Sequence, residues 1–228
     1  MTELTVIVPT RERPDAAREL AAGFAQTCTA DTLLLFSIDT TDPRRHEYLA
    51  ATLAGPRVAC ITADNRTMVE ALNTAASTVE STFVGFMGDD HRPRTRGWDS
   101  AYIHALRELG TGIVYGDDLL QSERLPTQIA MTTDIVRTLG WMAPPDLVHL
   151  AVDNWWLELG RRAGCIRYLP GVVVEHVHPV AGKVEWDEGH RRVNAPEMYH
   201  RDLATLARLK VQELPRAVRA VRALRGDE

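Results

Sequence analysis

The chain has 228 residues, of which 45% are hydrophobic and 25% charged, and its formal net charge is -5. That length builds one α/β domain with a sizeable core and is short for two. The acidic balance argues against a nucleic-acid-binding surface over the whole chain and leaves room only for a local basic patch. The three cysteines, Cys28, Cys60 and Cys165, are far apart and odd in number, which speaks against a disulfide framework or a zinc knuckle. Each lies among apolar neighbours, so all three are expected as small core residues in a reducing compartment. No signal-peptide pattern precedes Leu4, and no run approaches the roughly 18 apolar residues of a membrane span. A cytoplasmic protein is expected.

The first half alternates strand and helix. Residues 5–8 read as a buried strand ended by Pro9. Pro14 suits the first turn of a helix and Asp15 its positive end, with Leu20, Ala21 and Phe24 as the apolar face. A second strand over 33–38 closes in the polar run from Asp39 to Pro43, and a helix is expected over 44–53. A third strand covers 58–61, and a helix over 66–77 is entered through Asp64 or Asn65 as cap. A fourth strand over 83–87 runs into Gly88-Asp89-Asp90, a helix over 98–109 stops at Gly110, and a fifth strand covers 113–115. This alternation predicts an α/β fold, a mostly parallel sheet with helices on both faces. The second half is less regular: a strand over 128–131, a short helix over 133–139, a break at Pro144-Pro145, a helix over 153–163 capped by Gly164, and an extended segment over 168–177. From Pro196 the chain reads as helix to its end.

In parallel α/β sheets, ligands bind beyond the carboxyl ends of the strands. The loops that follow the strands hold Thr10, Arg11 and Arg13, then Asp39 and Asp42, then Asp89, Asp90 and His91, then Asp117 and Asp118. Six carboxylates at one rim repel each other unless something positive sits there, and a magnesium or manganese ion answers that. Asp90 is the first candidate ligand, with Asp89 beside it. His176 and His178 lie two apart on an extended segment, share a face, and offer a further ligand. Asp153 is a further carboxylate, at the start of a helix. Arg11 and Arg13 suit phosphate oxygens. Trp98, Trp155 and Trp156 are candidates for an aromatic wall beside a ligand, while core packing competes for the two on the helix. His149 reads as structural. Arg216, Arg219, Arg222 and Arg225 read as a solvated helix face.

Strand-Pro9-Thr10-Arg11, a second strand ending in Asp39, and an apolar strand running into Asp89-Asp90 resemble the nucleotide-sugar half of a GT-A-fold, Rossmann-like glycosyltransferase of the family-two kind. The segment from Asp153 to Arg161-Arg162-Ala163-Gly164, followed by the Pro170-led strand reaching His176, resembles its second half, so the likeness spans residues 4–180. Two positions depart from the family's pattern. Gly88 stands where the acidic motif usually begins with Asp, and Val152 stands where Glu often precedes the catalytic Asp.

The resemblance implies a metal-dependent transfer of a sugar from a nucleoside diphosphate, a UDP-sugar being favoured, to an acceptor hydroxyl with inversion. It implies Pro9, Thr10, Arg11, Arg13, Asp39, Asn65 and Asp89 around the nucleotide sugar. Asp89, Asp90, His176 and His178 would lie around Mn2+ or Mg2+. Asp117, Asp118 and the tryptophans would face the acceptor, whose identity stays open: a glycan, a small molecule, a protein or a modified nucleic acid. Residues 1–182 would form the transferase domain, with 1–116 the nucleotide-sugar half and 117–182 the acceptor half. Residues 183–228 would supply a lid, carrying Lys183, Trp186 and Asp187, and the C-terminal helices. A sugar-phosphate nucleotidyltransferase would favour a Gly-rich loop after the first strand, which Pro9-Thr10-Arg11 lacks. A non-catalytic binding module would tolerate loss of Asp90 or Asp153, and both are present.

Overall fold

A computed structural model describes residues 2–48, 57–186 and 188–227, save the side chain of His190. Strand β1 (Leu4–Thr10) pairs in parallel with β2 (Thr32–Asp39) on one side and β4 (Phe83–Phe86) on the other, and β3 (Val58–Ala63) extends the sheet past β2. Beyond β4 comes β7 (Ile129–Thr132), antiparallel, then β6 (Ile113–Asp117), antiparallel to β7. Strand β8 (Ile166–His176) runs parallel to β6, and the short β5 (His91–Pro93) pairs antiparallel with its end. The order is β3-β2-β1-β4-β7-β6-β8-β5. Two antiparallel joints in succession restore the direction, so β1, β2, β3, β4, β6 and β8 run one way against β7 and β5. The mostly parallel sheet is as expected. Three-residue β5 was not, because so short a segment carries no periodic signal.

The helices are α1 (Pro14–Thr27), α2 (Met68–Ala76), α3 (Trp98–Leu109), α4 (Thr133–Leu139), α5 (Val152–Ala163), α6 (Glu188–Val193), α7 (Pro196–Gln212) and α8 (Leu214–Arg225). Side chains alternate across β1. Leu4, Val6 and Val8 enter a core with Phe24, Trp98 and Tyr102, while Ile7 enters the opposite one with Val69, Trp155, Trp156 and Val221. Both faces are thus covered, which is why the central strands read as unbroken apolar runs.

Three boundaries differ from the sequence reading. The helix expected over 44–53 begins as a 3-10 turn, Arg45–Glu47, and residues 49–56 lie outside the described ones. Helix α2 is capped by Thr67, not by Asp64 or Asn65. The Thr67 hydroxyl accepts the Glu70 N–H at 3.0 Å, and the Glu70 carboxylate accepts the Arg66 N–H at 2.6 Å. These bonds satisfy one orphan donor of the helix and the N–H of the residue before its cap, and leave the Asn65 side chain to the cleft. The C-terminal helix is two helices, with Pro215 in the first turn of α8, where its missing N–H costs little. Leu206 and Leu209 of α7 and Leu214, Ala217, Val218 and Val221 of α8 join the core that holds Trp155 and Trp156.

Candidate active site

The carboxyl ends of β1, β2, β3, β4 and β8 and the start of α5 surround one cleft of about 760 Å³. At its β1 wall the Thr10 hydroxyl donates to Asp89 Oδ2 at 2.7 Å and the Arg13 guanidinium meets Asp89 Oδ1 at 2.9 Å. Asp89 is only 6% exposed. Burial pushes its carboxyl up to about 6, with the Asp90 charge adding to this and Arg13 opposing it. Both Asp89 oxygens hold protein groups, so this residue builds the wall beside Asp90.

Asp39, at the end of β2, accepts the N–H and hydroxyl of Thr41 at 2.6 Å each and has Arg11 Nη1 at 3.4 Å. Burial works against its charge, but the Thr41 hydrogen bonds and Arg11 outweigh it and hold the carboxyl below its usual range. Asn65 Oδ1 accepts the Thr74 hydroxyl at 3.0 Å, while Asn65 Nδ2 is buried and finds no partner among the described residues. A buried donor left unpaired at the edge of a cleft is a group that a ligand oxygen would satisfy. Pro9 lines the same wall.

The metal-type ligands come together across β5 and β8. The pairing sets His91 opposite His176, and the Val177 N–H donates to the Asp90 carbonyl at 2.9 Å. Asp90 Oδ2 then lies 3.2 Å from His176 Nε2. Burial opposes charge on His176, but Asp90, backed by Asp118 and Asp153, outweighs it and holds the imidazole above its usual range. Ligand atoms of Asp90, His91 and His176 all fall within 4.8 Å of one another. His91, noted in the loop after the fourth strand but not as a ligand, has both nitrogens occupied. Nδ1 accepts the Gly88 N–H at 3.0 Å, which leaves the proton on Nε2, 3.4 Å from the Thr127 hydroxyl, and that hydroxyl donates to Asp118 at 2.7 Å. Burial and then His176 keep His91 below its usual range. Its ring stacks on His176 at 4.4 Å and 15° and so orients it.

Asp90 and His176 are therefore the pair that fits an ion. Two ligand atoms 3.2 Å apart can share one cation, and His176 Nδ1 is buried and has no hydrogen-bond partner among the described residues, which leaves Asp90 as the ring's partner among them. His178 also lines the cleft, but its Nδ1 accepts the Val180 N–H at 3.2 Å and caps the next turn.

Asp153 stands in the first turn of α5, half-buried on the cleft, its Oδ1 accepting the Asn154 N–H at 2.8 Å. Burial pushes its carboxyl up, against the pull of the Asn154 N–H and His176. A carboxyl shifted towards neutral pH suits a proton acceptor. Val152 before it is buried in the core, so no second carboxylate shares this position.

Other expected site residues lie elsewhere. Asp118 is 1% exposed and accepts the N–H groups of Leu120, Gln121 and Ser122, and Asp117 accepts from Leu119 and Ser122. Together they knot the loop after β6 and do not line the cleft. Asp42 is likewise consumed, by the N–H groups of Glu12 and Arg44. Of the six rim carboxylates, Asp39, Asp89 and Asp90 face the cleft, joined by Asp64 and Asp153. Trp98, Trp155 and Trp156 are 0% exposed, so none presents a ring to a sugar. Trp98 packs edge-on against Phe24 and Tyr102, and Trp156 donates to the Met142 carbonyl at 2.8 Å. Helix α5 packs on both β8 and α8, which buries two neighbouring positions at once. His149, Arg192, Asn194 and Met198 line the cleft and had no periodic or motif signal. In the expected lid, Lys183 pairs with Glu175 at 2.8 Å, Trp186 meets His178 edge-on, and Asp187 lies outside the described residues.

No protein-family model and no curated protein matches the chain. Solved structures do. A crystal structure of S. aureus TarS 1-349 is 14% identical with a TM-score of 0.60, over 93% of this chain and 75% of that one. In a longer TarS structure the chain covers 46%. The mannosyltransferase PcManGT from Pyrobaculum calidifontis, solved with GDP-Man and Mn2+, is 18% identical with a TM-score of 0.63, over 97% and 73%. The glucosyl-3-phosphoglycerate synthase from Mycobacterium tuberculosis, solved with Mn2+, UDP and glucosyl-3-phosphoglycerate, is 12% identical with a TM-score of 0.62, over 91% and 79%. The chain has the GT-A glycosyltransferase fold. Among the described residues no helix is long and apolar enough to cross a membrane.

Proposed function

We propose that this protein is a metal-dependent glycosyltransferase that moves a sugar from a nucleoside diphosphate, UDP foremost, to an acceptor hydroxyl with inversion. One observation carries the reading. A single cleft of a GT-A fold joins the Asp90–His176 pair, the Thr10–Asp89–Arg13 wall and a separate carboxylate with a raised pKa, Asp153. A divalent cation held by Asp90 and His176 would act as a Lewis acid towards the leaving diphosphate.

The chain's own groups account for the remaining work. Asn65 Nδ2 and Asp39 offer a donor and an acceptor to the nucleoside. Arg192 brings positive charge to the cleft from α6. Asp153 takes the proton of the acceptor hydroxyl while that oxygen bonds to the anomeric carbon. The bond from that carbon to the phosphate oxygen breaks, and its electron pair leaves with the nucleoside diphosphate. One base acting on the face opposite the leaving group makes this a direct displacement, hence inversion.

Thermal unfolding in the presence of UDP or GDP, with manganese or with chelator, tests the reading. A diphosphate at 100 times its Kd stabilises by about 2.7 kcal/mol, and most of that should vanish with chelator. Equal shifts in the two conditions refute a metal-dependent donor site. A product that retains the donor's anomeric configuration, read by NMR, refutes the single displacement.

A further inference from the structure

Helix α7 carries a carboxylate that packing alone does not explain. Asp202 is 0% exposed, on a face where Met198 lines the cleft and Leu206 and Leu209 enter the core. Asp202 Oδ1 accepts the Val148 N–H at 3.2 Å, and Oδ2 accepts those of His149 at 2.9 Å and Leu150 at 2.7 Å. Three successive N–H groups turned to one side form a nest for an anion, and burying a carboxylate is costly unless such donors receive it. The next residue, Ala151, has φ +64°, and Val152 and Asp153 follow it into α5. A non-glycine residue in the left-handed region persists where its surroundings over-determine it. Asp202 supplies that constraint through the three residues before it. Lys210 of the same helix holds Glu158 of α5 at 2.6 Å, so α7 grips the chain on both sides of Asp153.

We infer that Asp202 is a positioning residue: by holding the backbone of residues 148–150 it sets the direction in which Asp153 enters the cleft, and it makes α7 part of the catalytic apparatus. The catalytic half of this inference rests on the glycosyltransferase reading, and the mechanical half does not.

Asp202→Asn tests it, since an amide keeps the volume but turns an NH2 group towards an N–H donor. Leu209→Ala, in the same helix and core, is the control for lost stability. In amide hydrogen exchange of the metal-free protein, residues 148–150 of Asp202→Asn should exchange about tenfold faster, and those of Leu209→Ala should keep their protection. In hydrolysis of UDP-glucose and GDP-mannose by water with manganese, Asp202→Asn should lose about 10- to 100-fold in kcat with donor KM within about twofold. Leu209→Ala should keep its kcat per folded molecule. Added to Asp153→Asn, Asp202→Asn should cost little more, because both act through one group. Unchanged exchange at 148–150, unchanged kcat, an equal kcat loss in Leu209→Ala, or additive losses would each overturn the inference. Absence of turnover in the unsubstituted protein would sink the transferase reading instead, and the exchange comparison would still decide whether Asp202 holds the loop. Should Asp202→Asn not fold, Asp202→Ser, which leaves room for a water at the three N–H groups, carries the same comparison.

Discussion

A Cβ at Gly88 would sit 2.6 Å from Asp90 Oδ1 and 3.1 Å from His91 Nδ1. A side chain at position 88 would therefore displace the Asp90 carboxylate, which is the group that faces His176. The Gly88 N–H also selects the His91 tautomer that stacks on His176. Gly88→Ala should turn Asp90 away from His176 and weaken manganese binding by about tenfold, roughly 1.4 kcal/mol, while the nucleotide-free melting temperature stays nearly constant. Calorimetric titration with manganese checks this, and an unaltered affinity would mean that Asp90 is free to adjust. Asp153→Asn keeps an oxygen for the Asn154 N–H, so fold and donor affinity should survive. Turnover should fall by about 10²–10⁴-fold, the usual effect of losing a general base. Near-normal turnover would remove Asp153 from that role.

Among the elements, α8 differs most from its sequence reading. The arginine series suggested a solvated face, and Arg216 and Arg219 are indeed exposed. Arg222, also exposed, and the partly buried Arg225 donate to the carbonyl oxygens of Arg162 and Thr111, fastening α8 to the end of α5 and to the turn after α3. Leu214, Ala217, Val218 and Val221 fill the core beneath. Leu214→Ala should thus cost about 2–5 kcal/mol, the range for a fully buried large-to-small change. Arg216→Ala and Arg219→Ala should stay within about 0.5 kcal/mol and leave donor hydrolysis as it was. Chemical denaturation of the three variants reads both outcomes. A Leu214→Ala protein as stable as its parent would show α8 to be an appendage.

At the scale of the whole molecule, the cleft imposes a pH dependence on folding. Burial holds the half-buried His149 down to about 4, against the pull of Asp202 and Asp90. Between pH 4 and 6.5 the unfolded chain therefore binds more protons than the folded one at this site, so the contribution of His149 to stability rises with pH across that window and is lost as pH falls, while Asp89, held up at about 6, contributes with the opposite sign. Partial exposure screens the effect, and on the order of 1 kcal/mol is expected from this residue. His149→Gln should lower the slope of the stability curve relative to the parent between pH 4 and 6.5 and leave the slope unchanged near pH 8. Urea unfolding at a series of pH values checks this, and a curve as steep as that of the parent would assign the loss to other groups.

The sequence by itself determined the α/β order, the direction of the central strands and the rim where chemistry gathers. Apolar runs ending in Thr10, Asp39 and Asp89-Asp90 are local signals, and a parallel sheet must place them side by side. The single carboxylate at the start of α5 was legible for the same reason. Which rim carboxylates remain available was decided only by the tertiary structure. Asp118 and Asp90 look alike as residues after a strand, yet Asp118 is surrounded by N–H groups of its own loop, while Asp90 is turned to His176 by the pairing of β5 with β8. That pairing joins segments far apart in the chain, so no local pattern reports it. Trp155 and Trp156 were misplaced because α5, covered on two sides, buries two neighbouring positions that point about 100° apart. Asp202 was invisible because its partners are backbone N–H groups of a distant loop, whose convergence depends on dihedral angles and not on residue types.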